Sequence, residues 1–444
     1  MTEPVAFGAR LRRLRLDAGL SLGDFARQVN YDKGYLSKVE NGHRTASPYL
    51  ARRCDAVLDA DGELAALVRE QPRQSRAGNA ASTKPPATTD LDAAGWLQHL
   101  TERREAIKTV AGSALALGLG LDTALAGGNA PGSSQGSPPQ PPFPQGGAPL
   151  AVLGDLFTHM RKLGQVTSAQ VVLPMLVAQA NTLLRYTSSA SPRERDDLLI
   201  LTARYAEYTG WMAQEAGHDL DALAWTKCAV DLATTAGDKR LVAYGLIRQA
   251  LVTMYRSDSA STIALAQQAR LRTTSFDIQA QAARREAQGH ALAGDYGACM
   301  ACLDQARDLQ LRARAESSSA DHALGPTHLS DPVEMITGWC LYDLGRPRAA
   351  AEVLDQQIAA MDPDASRSQS RYGIRRALAY AGAGEIDHAC ELAGELLDTV
   401  DGVSSATVGI ELHQLSRALT RFRNNSSVRR LSPRLTASLH VSHF

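Results

Sequence analysis

The stretch YDKGYLSKVENGHRTASPY, residues 31–49, places an aspartate, two lysines five residues apart and a Ser-Pro step within one short span. Leu36 and Val39 recur at helical spacing, so the segment reads as a short helix with one buried edge. Asp32 is placed to cap its start, and Ser47 with Pro48 opens the next helix. Lys33, Gly34, Ser37 and Lys38 then face away from the apolar edge. Working outward, Leu22, Phe25, Ala26 and Val29 mark a preceding helix opened by a Ser21/Asp24 capping box. Asn30 sits where the chain must turn, and Asn tolerates left-handed backbone. Phe7, Leu11, Leu14 and Ala18 form a first helical stripe, and Leu50, Cys54, Val57 and Leu58 a later one. Four or five short helices thus share one small core.

A tight two-helix unit whose second helix is short, capped and basic can enter the major groove of DNA with its N-terminal end foremost. Lys33 and Lys38 reach guanine O6 and N7, Gly34 allows close approach of backbone to bases, and Asn41, His43 and Arg44 are placed to hold phosphates. Charge agrees with this reading. The chain carries 47 basic and 47 acidic residues, yet residues 5–58 hold ten Lys/Arg against five Asp/Glu. A zero sum hides a basic end.

On these residues the N-terminal segment resembles the helix-turn-helix domain of the Cro/CI or XRE family. RLRRLRLDAGLSLGDFARQVNYDKGYLSKVENGHRTASPYL, residues 10–50, carries that family's "R…R…GLS…A" entry and "YLSKVENG" recognition segment. The resemblance implies a five-helix, lambda-repressor-like fold over residues 1–70, binding double-stranded DNA, with Arg15 paired to Glu40 as a structural tie. One departure is Leu22, which stands where the family usually has a glutamine touching the DNA backbone.

At 444 residues the chain is too long for one compact core. Residues 71–92 and 127–149 are rich in Gly, Pro, Ser and other small residues and cannot bury enough surface to order themselves. They define a linker over 71–150 holding a short apolar helix near 103–126. That island follows Arg103-Arg104, as in a twin-arginine export signal, but its uncharged core of thirteen residues is too short to span a bilayer. A connector or partner-docking segment is expected there, not a membrane contact. Six cysteines without a signal peptide fit reduced thiols in the cytoplasm.

From residue 151 to about 425 a turn signal followed by an alanine-rich helix recurs, with the turn residues at Gly217, Ser257, Gly294, Gly345 and Gly384. Such pairs need their neighbours to cover their apolar faces, which predicts an α-solenoid. Leu201, Tyr205, Leu223, Leu246 and Leu265 are placed to fill between pairs, and Ser191-Pro192 and Asp331-Pro332 mark helix starts. The wider 294–345 interval contains AESSSADHALGPTHLS, read as a polar insertion. The region resembles the tetratricopeptide (TPR) superfamily, loosely, because the repeat is longer than 34 residues. Residues 426–444 read as a basic flexible tail.

The whole is therefore expected to be all-α: a small DNA-binding domain linked to a TPR-like solenoid. No phosphate loop, zinc helix or EF-hand sequence occurs. Cys299 and Cys302 form a lone CxxC in an alanine-rich helix, and His290 and His388 read as ordinary helix residues. No cofactor, metal or catalytic constellation is expected, so the chain reads as a non-enzyme. The layout resembles actinobacterial XRE regulators with TPR-like regions, which implies a transcriptional regulator, homodimeric through its solenoid. A peptide, small-molecule or protein effector would lie on the concave face, with Arg204, Tyr208, Arg248, Gln249 and Arg285 as outward-facing candidates. A second reading is a protein-interaction adaptor with a vestigial helix-turn-helix.

Overall fold

The computed structural model describes residues 7–70, 147–187, 190–316 and 324–441, and among these it is helical without strands. The apolar island near 103–126 lies outside the described residues. The N-terminal unit contains α1 (Phe7–Asp17), α2 (Leu22–Val29), α3 (Lys33–Glu40), α4 (Pro48–Leu58) and α5 (Glu63–Glu70). Its core joins Phe7, Leu11, Phe25, Val29, Leu36, Val39, Leu50 and Cys54. Ala18 is the exception to the expected stripe: it lies beyond the end of α1 and is exposed.

The caps form as the residue types require. Asp24 N donates to the Ser21 hydroxyl at 3.1 Å, Tyr35 N to Asp32 at 2.8 Å, and Leu50 N to the Ser47 hydroxyl at 3.1 Å. Asn30 adopts φ 54° between α2 and α3. Asp55 is buried and accepts from Leu64 N and Ala65 N, so it fixes the start of α5 from the interior of α4.

The second unit runs through α6 (Gly147–Val166), α7 (Ala169–Tyr186), α8 (Pro192–Glu215), α9 (Asp219–Thr235), α10 (Lys239–Tyr255), α11 (Ser259–Leu271), α12 (Phe276–Ala293) and α13 (Tyr296–Glu316). It continues through α14 (Pro332–Asp343), α15 (Pro347–Ala359), α16 (Ser366–Ala383), α17 (Ile386–Val403), α18 (Ala406–Leu419) and α19 (Ser426–Val441). Each of the five expected turn residues sits between two packed helices with positive φ: Gly217 at 85°, Ser257 at 60°, Gly294 at 82°, Gly345 at 76° and Gly384 at 97°. Small residues bring partners together. Gly289 lies on Ile263, and Gly338 on Leu354.

Two expectations need correction. The segment from 426 is no free tail, because α19 buries Val428, Leu431 and Leu435 against the core of α16–α18. Its arginines occupy only the outer side of an amphipathic helix. The helical region also begins at Gly147, inside the expected linker.

The solenoid closes on itself. Arg367 and Glu215 are both wholly buried and pair at 3.1 Å, joining α16 to the end of α8. Arg367 Nε also donates to Gly164 O at 2.7 Å, and Nη2 to Thr167 O and to Val403 O. Arg371, Ser405 and Thr407 complete the shell around the Glu215 carboxylate. The opening helices α6 and α8 therefore meet α16 and α17 near the other end, and the space between them becomes a cavity.

Candidate nucleic-acid interface and central cavity

Leu36 and Val39 are buried under α1 and α2, which leaves Lys33, Gly34 and Lys38 exposed along one edge of α3, with Ser37 half-buried between them. His43 and Arg44 are exposed just beyond the helix. Asn41 has a prior engagement: its side-chain amide donates to Ser37 O at 2.8 Å and closes the C-terminal end of α3. Gly34 has a structural reason too, since a Cβ there would stand 3.1 Å from the capping carboxylate of Asp32. Tyr31 and Tyr35 pack together at 5.7 Å and brace the turn.

The angle of α3 is set from behind. Arg15 donates to Glu40 through Nε at 2.7 Å and Nη2 at 3.0 Å, and to Leu20 O through Nη1 at 2.7 Å. This is the tie the family resemblance implied. Gly8 lets α1 lie directly on the end of α3, because a Cβ there would come within 2.4 Å of Val39 O. Leu22 packs against the domain core instead of presenting a polar group.

The domain is seated on the solenoid through α4 and the turn between α2 and α3. Arg52 donates to Asp343 O and, at 3.3 Å, to Leu292 O, while Arg53 donates to Gly345 O at 3.0 Å. Asn30 Nδ2 lies 3.4 Å from Ala381 O. Cations thus meet the carbonyl ends of α12 and α14, where the helix dipole favours them. Tyr49 stacks on Tyr342 at 5.0 Å, and Arg421 lies 4.2 Å over the Tyr31 ring. Nothing in the linear sequence linked Arg52 and Arg53 to carbonyls nearly three hundred residues away.

The cavity has a volume of about 720 Å³ and is walled by α6, α8, α10, α12, α14 and α16 together with residues 325–329. Those last residues belong to the stretch expected to be a mere insertion; instead they fold inward, with Arg161 donating to Gly325 O at 2.5 Å. The candidates expected to face outward require correction. Tyr208 and Arg248 are buried, and both line the cavity with Arg285. Arg204 stacks 5.1 Å over Phe157 instead, and Gln249 lies off the cavity on α10. The apolar alternation of α8 and α10 could not reveal this, since closure turns what would be a solvated concave face into an interior.

The lining mixes aromatic and cationic groups. Trp339 meets Tyr372 at 6.0 Å and Tyr255 at 6.4 Å, both edge to face. Arg248 pairs with Glu207 at 3.2 Å, and burial raises that carboxyl despite the nearby arginines. Burial, aided by Arg371 and Arg161, pushes the His328 imidazole down to about 4, so it is neutral at pH 7.

A separate cluster joins Glu286, His290 and Cys302, whose ligand atoms lie within 4.8 Å of one another. Arg270 already stands 3.3 Å from Glu286, and burial pushes the Cys302 thiol up to about 12, an arrangement poorly suited to a cation. Cys299 is buried in the core of α12–α14. Among the described residues no helix is long and apolar enough to cross a membrane.

Residues 6–68 match the family model described as a helix-turn-helix domain. No curated protein matches the chain. Among solved structures, one titled as the crystal structure of a Rap protein complexed with competence and sporulation factor is similar at 13% identity and a TM-score of 0.36, covering 67% of this chain and 99% of that one. The chain carries an N-terminal helix-turn-helix domain followed by a helical repeat region.

Proposed function

We propose that this protein is a sequence-specific DNA-binding transcriptional regulator of the XRE type whose closed solenoid takes an effector. One observation carries the reading: the exposed edge of α3 is mounted on a domain that sits at the C-terminal ends of α12, α14 and α16, helices that also wall the cavity. Lys33 and Lys38 read base edges, and His43 and Arg44 hold phosphates. A single module of this size binds weakly and loses affinity steeply with salt, so two copies on half-sites ~34 Å apart are needed for selectivity. The solenoid supplies the pairing surface in this reading, and the protein works in the cytoplasm without catalysing a reaction.

Selection of bound fragments from genomic DNA by the intact protein, followed by titration at several salt concentrations, tests this. Lys33→Ala with Lys38→Ala should lose sequence preference while the melting temperature stays the same. A double variant that still selects the same site removes these lysines from the reading role.

Leu22 favours a second reading, because it fills the position of an expected phosphate contact with a hydrocarbon that belongs to the core. In that case the chain is an adaptor and its helix-turn-helix is vestigial. No enriched DNA sequence together with a stable protein partner would establish the adaptor.

A further inference from the structure

Among the arginines lining the cavity, Arg284 and Arg285 have no carboxylate paired with them. Arg371 pairs with Glu215, which it shares with Arg367, and Arg248 pairs with Glu207. Arg284 makes no hydrogen bond and no ion pair among the described residues, and its Nε is buried without a partner. The carboxylate with any pull on it is Asp331, whose oxygen is committed to Val333 N and Glu334 N at the start of α14. Arg285 donates to Gln288 Oε1 at 2.6 Å and to Met254 Sδ at 3.3 Å, both uncharged, and burial pushes its guanidinium down to about 10. Both arginines line the cavity from α12.

A guanidinium taken out of water without a counter-charge costs stability. Both side chains are only half-buried in the cavity wall, yet a hydrocarbon there would relieve that cost, so an unpaired guanidinium at this place is what a ligand-supplied anion would require. The cavity also offers Trp339, Tyr372, Tyr255 and Leu251, surfaces that shelter an apolar or aromatic body. Its size suits one drug-sized molecule or a peptide of a few residues.

We infer that the effector is an organic anion, its carboxylate or phosphate gripped by Arg284 and Arg285 and its apolar body packed on the aromatic wall. The inference rests on the cavity being the effector site, and it adds the ligand's chemical class. A free small acid and the C-terminal carboxylate of a short peptide share this chemistry.

The test uses the full chain and pairs of probes that differ in charge alone. These are indole-3-acetate against indole-3-acetamide, and the tripeptide Phe-Leu-Phe as free acid against its C-terminal amide, with inorganic phosphate as competitor. Binding is read by calorimetry and by the shift in melting temperature. At least one acid is expected to bind tenfold or more tightly than its amide, and phosphate to weaken it. Which pair shows the difference separates a small acid from a peptide end. Arg284→Met and Arg285→Met should each erase the preference while the ligand-free protein melts no lower than wild type. Should either methionine variant fail to fold, Arg284→Lys and Arg285→Lys keep the charge and are expected to keep part of the preference.

Equal binding of acid and amide, or binding of neither in both pairs, overturns the inference. So does a preference that survives both methionine substitutions. If the anion binds as described but leaves DNA affinity unchanged, the ligand class stands and the regulatory reading of the cavity falls.

Discussion

Gly345→Ala separates the docked domain from its seat. The glycine has φ 76°, and a Cβ there would stand 2.7 Å from Arg53 Cα and 2.8 Å from Arg52 O. Those are backbone atoms of α4, which cannot rotate away. The structure also supplies a matched control, because Gly237 has the same φ of 76° and nothing within 4 Å of its added Cβ. Placing alanine in left-handed backbone costs roughly 1–2 kcal/mol at either site. At 345 the α4 backbone must also retreat, which breaks the Arg53–Gly345 O bond and spoils the Tyr49–Tyr342 stack. A hydrogen bond from a charged donor is worth ~1.5–3 kcal/mol and an aromatic pair ~0.5–1.5 kcal/mol. The added loss of about 2–4.5 kcal/mol shifts the docked population by roughly 30- to 1,600-fold, at ~1.4 kcal/mol per decade. Differential scanning calorimetry reads the result: wild type and Gly237→Ala should unfold the domain together with the solenoid, whereas Gly345→Ala should show the small domain melting by itself. Identical single transitions in both variants would refute the seat described here.

Glu215→Gln should open the ring. Burial alone would raise that carboxyl, but Arg371 and Arg367, helped by Ser405 and Thr407, hold it at about 2 against an ordinary 4.5. Its stabilisation is therefore complete above pH 4.5 and is lost as pH falls through about 2. At neutral pH the variant should lose ~3–5 kcal/mol, the usual cost of breaking a buried pair, measured by urea unfolding. In the small domain Arg15→Met and Glu40→Gln should each be strongly destabilising and their combination less so than the sum, as a double-mutant cycle would show. Asp55 moves the other way: burial raises its carboxyl to about 6, although Leu64 N and Ala65 N donate to it. The folded state then holds the proton more tightly than the unfolded one, so this contribution is full below pH 3.8 and declines as pH rises through about 6. Asp55→Asn should flatten that slope in domain melts across the same range.

Much of the small domain was legible because its signals are local. Caps, the Asn30 turn and the Leu36/Val39 edge each act within a few residues, and the Arg15–Glu40 tie followed from a family likeness. The solenoid's turns were legible for the same reason, since a residue in left-handed backbone between two alanine-rich helices marks itself. Closure was not, because it depends on Arg367 meeting Glu215 across 152 positions. Without closure Tyr208 and Arg248 read as surface residues, and AESSSADHALGPTHLS reads as an insertion instead of a wall. The helix α19 was misread for a related reason. Its arginines dominate the composition, while the buried edge of Val428, Leu431 and Leu435 is a sparse three-residue signal.

The cavity and the helix-turn-helix domain share helices α12, α14 and α16. Arg285 and Leu292 O lie seven residues apart on α12, or about 10 Å at ~1.5 Å per residue, and Trp339 and Asp343 O are about 6 Å apart on α14. On α16, Tyr372 lines the cavity and Ala381 O faces Asn30 at 3.4 Å. Arg375 braces this set, 4.1 Å from the Trp339 ring and 4.8 Å from Tyr342, with Glu411 at 2.8 Å. A helix that tilts to suit a ligand carries its terminal carbonyl with it, and the domain must follow or lose its bonds. If α3 binds DNA and the cavity takes an effector as proposed, such coupling is reciprocal, and DNA binding should act back on the cavity. Trp339 is placed to report it. Emission that depends on Trp339, identified by subtracting a Trp339→Phe variant, should change when selected DNA saturates the protein, and Tyr49→Leu should abolish the change while DNA still binds. Unaltered Trp339 emission at DNA saturation would mean that these helices bear the domain without transmitting anything to it.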